Sequence, residues 1–350
     1  MDTPNNSVGN RRVSKGHRLT PYSCTFSRVR KSQQRTQRQT PTSHRLLPST
    51  PKFGIDRSHS SKQEVKVSFT DIIRKQWKVF SLSPLFNFKN KPVLLKKYSR
   101  SLDAAFLQSH TGSNSFRSTF SVYPGLSVHN KDPEAIKIDI VQKLSETEEK
   151  VVLSALMMCV DIDYTDHPVS PDSRTNFTYY PVLLISGNIS RTDTFITWLE
   201  MHFDCHASPM IFNNNNLKCM LAMWSHVKGS ESLPVLMQYS LKNDNIGIGT
   251  IDCKIDSMFC KQYWQRFHSD ISKEETIDES LMNAFIQSLE TDLQYRMSIC
   301  FSKLNLSEIG TPVAYVSGSG KLKLLSQMHV YLALHLICVI SSNRFLSIDS

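Results

Sequence analysis

The chain lacks several features that would point to other classes of protein. Its longest apolar run, residues 330–340, covers about eleven positions, whereas a membrane-spanning helix needs about 20, so we expect a buried terminal helix there. The eight cysteines show no paired spacing, which favours buried thiols in a reducing compartment over a disulfide framework. The N-terminus is polar and then arginine-rich, without the apolar stretch of a secretory signal. We therefore expect a protein of the cell interior with no membrane contact.

Acidic residues are scarce in the first part of the chain. Residues 1–63 contain 13 Lys/Arg and two acids, a balance of +11, while the whole chain carries +10. This segment is also poor in large apolar residues, so it cannot bury enough surface to offset the entropy lost on ordering. We predict a disordered basic tail over residues 1–63. Such tails bind nucleic acids or acidic proteins or serve nuclear import, and some are solvated tails without a specific partner.

Two helices are predicted at the start of the body, within an N-terminal helical part at about residues 64–110. Apolar residues recur every three or four positions over residues 68–80, with Ser68 as the predicted N-cap. A second such pattern follows Pro92 and extends to Phe106. Between residues 66 and 100 the sequence has nine Lys/Arg and one acid, Asp71. We expect these helices to pack on the core and to present a basic surface.

The rest of the body, to about residue 345, is predicted to be sheet-rich. Strands are predicted at 136–141, 151–160, 179–186, 233–241, 248–255, 298–306, 313–316 and 321–325. Helices are predicted at 192–202, 217–224, 256–267, 274–294 and 330–340. Because strands come in groups instead of alternating with helices, the pattern favours an α+β fold with a largely antiparallel sheet and packed helices.

No motif of the sequence makes a strong case for catalysis or a metal. Gly318-Ser319-Gly320-Lys321 lacks the first glycine and the Ser or Thr of a phosphate-binding loop, so it favours a hairpin turn. A zinc site built from His202, Cys205, His206 and Cys219 has a spacing that matches no common pattern. We predict no metal, no cofactor and no enzymatic activity.

One acidic cluster leaves an enzyme open as an alternative. Asp161, Asp163, Asp166 and His167 directly follow a predicted strand, where solvated loops often carry acids, yet such a set can also perform acid–base or metal chemistry.

Several short segments together resemble the centromere protein L family. They occur in order from about residue 65 to 340, and each is weak alone. They are Lys75-Gln76-Trp77, Ser81-Leu82-Ser83-Pro84-Leu85-Phe86, Tyr98-Ser99-Arg100-Ser101-Leu102, Ala105-Phe106, Lys131-Asp132-Pro133-Glu134-Ala135, Phe203-Asp204-Cys205, Ser208-Pro209, Ala222-Met223-Trp224 and Gly320-Lys321-Leu322-Lys323-Leu324.

The resemblance implies a non-enzymatic subunit of the inner kinetochore, in the nucleus at the centromere. Such a subunit forms a heterodimer with a centromere protein N-type subunit and joins the constitutive centromere-associated network, in which a basic channel encloses DNA. The implied fold is an α+β body with a curved, largely antiparallel sheet. The alternative is a nuclear protein that binds nucleic acid without sequence preference through its basic tail.

The resemblance also implies where the partner and DNA bind. The partner edge is expected near residues 297–306 and 313–325, through β-augmentation of an exposed strand; the alternative is that these strands are internal to the sheet. The predicted partner-binding residues are Val313, Tyr315, Lys321, Leu322 and Leu324. The predicted DNA contacts are Lys150, Lys303 and Lys321; Glu308, on the same strand region as Lys303, limits the extent of a basic groove.

Overall fold

The computed structural model describes residues 22–28, 68–110, 115–127, 132–144, 148–160, 176–225, 227, 233–243, 247–269 and 279–346. Six helices and a large antiparallel sheet in these residues confirm the predicted α+β fold. Of the predicted tail, Tyr22–Arg28 forms a strand and the rest lies outside the described residues. The Asp161–His167 cluster also lies outside them.

The helices and strands follow one another in groups along the chain. The strands are β1 (Tyr22–Arg28), β2 (Trp77–Leu82), β3 (Leu85–Phe86), β4 (Ser115–Tyr123), β5 (Ala135–Lys143), β6 (Glu149–Met158), β7 (Phe177–Thr178), β8 (Val182–Gly187), β9 (Ala207–Pro209), β10 (Val235–Asn243), β11 (Gly247–Ile255), β12 (Asn305–Gly310), β13 (Ala314–Ser317) and β14 (Lys321–Leu324). The helices are α1 (Pro92–Ser109), α2 (Ile189–Phe203), α3 (Asn214–Ser225), α4 (Ser257–Ser269), α5 (Glu279–Met297) and α6 (Val330–Leu346).

One sheet runs through the described residues and has two halves. Its strand order is β1-β11-β10-β12-β13-β14-β2-β8-β6-β5-β4, with β9 paired to β2, while β3 and β7 form a separate two-stranded sheet. We call the first six strands of this order, from β1 through β11 to β14, the C-terminal half. The last five strands, β2, β8, β6, β5 and β4, form the N-terminal half. The halves join where β14 pairs with β2, at Lys321 opposite Lys78 and Leu322 opposite Trp77.

Apolar side chains form a separate core on each face of the sheet. One core lies under α1 and α2 and includes Phe106, Phe195, Ile138 and Ile185. The other core combines residues of α3, α4, α5 and α6 with the opposite face of both halves. The inner strands β2 and β8 of the N-terminal half and residues 152–158 of β6 are therefore covered on both faces, whereas the described helices cover one face of the C-terminal half.

The helix predicted over residues 68–80 is wrong. Residues 70–74 form a turn, with Arg74 at φ 58°, and the strand β2 follows. Trp77 belongs to one core and Phe80 to the other, because β2 lies inside the sheet between two covered faces. A strand buried on both faces has a nearly continuous apolar sequence, and here that run has the spacing of a helix as well.

Polar side chains hold the turn at residues 70–74 against the sheet. Asp71 accepts hydrogen bonds from Tyr123 at 2.6 Å and Lys137 at 2.5 Å, and Lys137 also lies 3.4 Å from Asp139. Burial raises the pKa of the Asp71 carboxyl, but these hydrogen bonds and the lysine charge outweigh burial, so its pKa is lowered. Asp71, which lies inside the predicted helix, thus anchors a turn.

The other element predictions differ mainly at their boundaries. Helix α1 begins at Pro92 as predicted, and Asp256 caps α4 by accepting from the amides of Met258 and Phe259 at 2.7 and 3.2 Å. The strand predicted over 298–306 is shorter, since residues 301–303 form a 3-10 turn and β12 begins at Asn305. The hairpin turn between β13 and β14 is confirmed.

Candidate functional site: an open face of the sheet

The C-terminal half of the sheet presents one polar face that the described helices do not cover. Strand β14 shows the alternation most clearly: Leu322 and Leu324 are buried in the core, whereas Lys321 and Lys323 are exposed. We call the outward-facing set the open face. Its side chains, all half-buried or exposed, are Leu236, Gln238, Asp252, Lys254, Glu308, Tyr315, Lys321 and Lys323.

The centre of the open face combines an apolar patch with polar side chains held in place. Leu236 lies across Gly310, which has no side chain to cover it. The next strand brings Tyr315 opposite Gly310, and its hydroxyl donates to the Glu308 carboxylate. An aromatic ring with a fixed hydroxyl beside an aliphatic side chain is a common anchor of protein interfaces.

Three lysines, Lys78, Lys321 and Lys323, lie at the margin of the open face, where the two halves of the sheet join. We call this group the lysine margin. Lys78 of β2 stands directly opposite Lys321 of β14. Lys323 follows two positions along the same strand face, roughly 7 Å from Lys321 by the strand rise. Like charges directly opposite each other in a sheet repel, so this pair favours the approach of an anionic group.

The prediction that residues 297–306 and 313–325 form an exposed edge of the sheet is wrong. Strand β12 lies between β10 and β13, β13 lies between β12 and β14, and β14 lies between β13 and β2. These strands already use both sides for pairing within the chain, so they cannot accept a further strand. Val313, Leu322 and Leu324 are buried in the core, while Tyr315 and Lys321 belong to the open face.

The structure does not bring the three predicted DNA contacts together, although all three are exposed. Lys150 lies near the start of β6 and Lys303 just before the start of β12. Five antiparallel pairings separate these strands, so β6 and β12 run in opposite directions. The start of one strand therefore lies at the edge of the sheet where the other strand finishes. Lys321 opens β14 and is the predicted contact that has other lysines beside it.

The four residues considered for zinc lie in different surroundings. His202 stacks on Trp198 at 5.0 Å, and burial lowers the pKa of its ring. His206 lies 3.0 Å from Glu200, and burial raises the pKa of the Cys205 thiol to about 12. Cys219 contacts the Met282 sulfur at 3.7 Å, in the core formed by α3 to α6. Within the described ranges, no group of three or more His, Cys, Asp or Glu residues is placed to hold a metal ion.

Sequence reasoning missed two of the marginal lysines. Lys78 lies in the segment predicted to be a helix, so its neighbour in the sheet could not be inferred. Lys323 was identifiable, because the Lys-Leu-Lys-Leu alternation of residues 321–324 is typical of a strand with one solvated face.

These features are typical of the class of proteins that bind another macromolecule through a sheet face. A half-buried sheet face with an aromatic anchor and lysines at its margin offers a broad surface instead of a pocket. None of the helices in the described part of the chain is both long and apolar enough to cross a membrane.

Comparison with known proteins identifies the family. The sequence profile of centromere protein L matches residues 71–335. Human centromere protein L is 30% identical over 308 residues, covering 82% of this chain and 84% of the human protein. The bovine protein is 27% identical, with 80% and 82% covered, and the zebrafish (Danio rerio) protein is 24% identical, with 72% and 71% covered. The chain belongs to the centromere protein L family, and hence to proteins of the centromere and kinetochore that serve chromosome segregation.

Proposed function

We propose that this chain is a non-enzymatic scaffold subunit of the inner kinetochore, located in the nucleus at centromeres. It forms a heterodimer with a centromere protein N-type subunit, and the pair helps to assemble the constitutive centromere-associated network on centromeric chromatin. The single observation that supports this proposal best is the open face, in a chain of the centromere protein L family.

The open face is the part of the sheet that suits the partner. The inner strands β2 and β8 of the N-terminal half are buried on both faces, whereas Leu236 and Tyr315 lie half-buried on a face without a described helix. A partner that covers this face buries the apolar patch around Gly310 and leaves the lysine margin at its rim. The partner therefore binds through the face of these strands and not through an edge of β12, β13 or β14.

We expect a charge at the centre of the open face to abolish the heterodimer. The test variant is Leu236→Glu with Tyr315→Glu, in the full chain co-expressed with the centromere protein N of the same organism. The change removes the aromatic ring and the aliphatic side chain, and it places two carboxylates where the partner would take them out of water, at several kcal/mol per charge, so co-purification should fall below a tenth of the unmodified level.

The matched control is Val151→Glu, an exposed strand position on β6, which should leave co-purification unchanged. Circular dichroism of each chain confirms that the sheet is folded. A stoichiometric complex with the double variant, folded and in normal yield, would contradict the proposed contact.

The lysine margin supplies the proposed contact to DNA. Reversing Lys78, Lys321 and Lys323 to glutamate should weaken binding of the heterodimer to a duplex at least tenfold at moderate salt. Each lost phosphate contact should also reduce the salt slope of log K by about 0.9. Lys150 and Lys303 stay predicted contacts and are reversed one at a time, since they lie at opposite ends of the sheet.

A second set of variants separates this proposal from binding through the tail. Replacing the 13 basic residues of 1–63 by glutamine should leave most of the affinity of the heterodimer. If that change abolishes DNA binding while the lysine margin can be reversed without effect, the tail is the DNA-binding element and the proposed margin is wrong.

A further inference from the structure

The second candidate surface lies at the far end of the sheet, along β4. Among the described strands it pairs with β5 alone, and so it forms an edge of the described sheet. A groove of about 560 Å³ runs between this edge and α1. The side chains that line it come from both elements: Asn90, Pro92, Leu95, Lys96, Ser99, Arg100, Ser118, Thr119, Phe120 and Val122.

The hydrogen bonding of Ser118 shows which backbone groups of β4 point into the groove. Its amide N–H donates to the Asp103 carboxylate of α1 at 2.5 Å, so it does not donate to Ile140, the residue opposite on β5. Antiparallel pairs alternate between bonded and non-bonded positions. The N–H and C=O groups of Phe120 and Val122, two and four residues on, therefore also point away from β5 and toward the groove.

Helix α1 closes the edge at one point and leaves it open further along. At Ser118 the side chain donates to the Ser99 carbonyl at 2.9 Å while Asp103 caps the amide, so the edge is satisfied there. Beyond it, the ring of Phe120 packs edge-on against Tyr98 and forms part of the groove floor. Val122 is 36% exposed. Two strand positions thus combine an outward-pointing backbone with apolar side chains.

The wall of the groove is strongly basic. Lys96 and Arg100 line it from successive turns of α1, and both are exposed. Residues 89–100 contain five Lys/Arg and no acid. Two carboxylates near the groove have hydrogen-bond partners within the chain: Asp103 accepts from the Ser118 amide, and Glu134 accepts from Asn90 at 3.3 Å.

We propose that the groove between β4 and α1 binds an extended acidic segment of a partner protein, which adds a strand to the edge at Phe120 and Val122. Main-chain hydrogen bonds supply the affinity of such a contact, and alternate side chains supply the specificity. Apolar side chains of the segment face Leu95 and Phe120, and its carboxylates pair with Lys96 and Arg100, where arginine binds a carboxylate with two hydrogen bonds. This inference does not rest on the proposed heterodimer, which uses the opposite half of the sheet.

The test is selection of peptides against the full chain, prepared with its N-type partner where that keeps it soluble. A random library of nine-residue peptides is panned, and affinities are measured by fluorescence polarisation. Enriched peptides should alternate acidic with apolar residues. Lys96→Glu with Arg100→Glu should weaken them at least tenfold.

Two further variants separate strand addition from simple charge attraction. Val122→Pro removes an outward-pointing N–H without touching a bond to β5, as proline at an edge allows, and should weaken the same peptides at least fivefold. Lys97→Glu reverses one charge next to Lys96 on α1 but outside the groove lining, and should change affinity less than twofold, whereas Lys96→Glu alone should weaken the peptides more than that.

Three outcomes would overturn the proposal. One is the absence of an acidic consensus among the selected peptides. Another is a consensus whose binding survives both the double charge reversal and Val122→Pro. The third is a labelled 30-base-pair duplex that loses affinity with Lys96→Glu and Arg100→Glu while the peptides do not, which would make the groove a nucleic-acid contact. Thermal melting of each variant confirms folding.

Discussion

Replacing Gly320 by alanine is expected to cost about 3 kcal/mol or more of folding free energy. Gly320 has φ +80°, a conformation that costs a residue with a side chain about 1–3 kcal/mol. A Cβ at this position would also overlap the carbonyl oxygen of Met210, and backbone cannot move aside as the end of a side chain can. The two terms act in the same direction.

Gly320 lies at the junction between the two halves of the sheet, so the substitution should destabilise that junction first. Its carbonyl accepts from the Val79 amide at 2.8 Å, next to the Lys321–Lys78 pair, and Val79 in turn accepts from the Met210 amide at 2.9 Å. Displacing the turn opens β14 from β2 and disorders the lysine margin. Urea unfolding of the variant measures the cost.

Gly249→Ala is the matched control for this prediction. Gly249 also lies in the C-terminal half, but a Cβ there would meet the nearest side-chain atom, of Leu241, at 3.6 Å, an ordinary contact. We expect a change within about 0.5 kcal/mol. If Gly320→Ala unfolds at the same denaturant concentration as this control, the junction tolerates a side chain and the prediction is wrong.

Local sequence predicted those elements whose burial follows a single period. Strand β5 alternates isoleucines with polar residues, α1 begins at Pro92, and the turn at residues 317–320 follows from its glycines. The apolar spacing did not identify β2 as a strand, because a strand between two cores buries successive residues. Its apolar spacing was therefore compatible with a helix.

The candidate site depended on pairings that local sequence does not contain. Lys78 meets Lys321 across the junction of the halves, although the two residues lie near opposite ends of the body. The same pairing makes β14 an internal strand, while β12 and β13 are internal through their pairing with β10 and β14, so the predicted edge does not exist. Which strand is an edge is a property of the whole sheet order, whereas the exposed side of β14 followed from its own alternation.

Breaking the buried ion pair between Glu290 and Lys218 is expected to cost about 3–5 kcal/mol. Glu290 of α5 is 6% exposed, and its carboxylate lies 2.8 Å from the Lys218 Nζ of α3. The same carboxylate accepts from the Tyr239 hydroxyl of β10 at 3.1 Å. One side chain thus ties two helices to the sheet beneath the open face. Lys218→Met leaves the buried carboxylate without its cation, and the free energy of unfolding should fall accordingly.

The double variant Lys218→Met with Glu290→Gln should recover most of that loss. No buried charge remains in it, and the amide oxygen still accepts from Tyr239, so the coupling in a double-mutant cycle should exceed about 2 kcal/mol. Glu149→Gln breaks the exposed pair of Glu149 with Arg117, 3.3 Å apart, and should cost less than about 1 kcal/mol. Equal losses for the single and double variants would mean that the methylene stem of Lys218, and not its charge, stabilises the contact of α3 with α5.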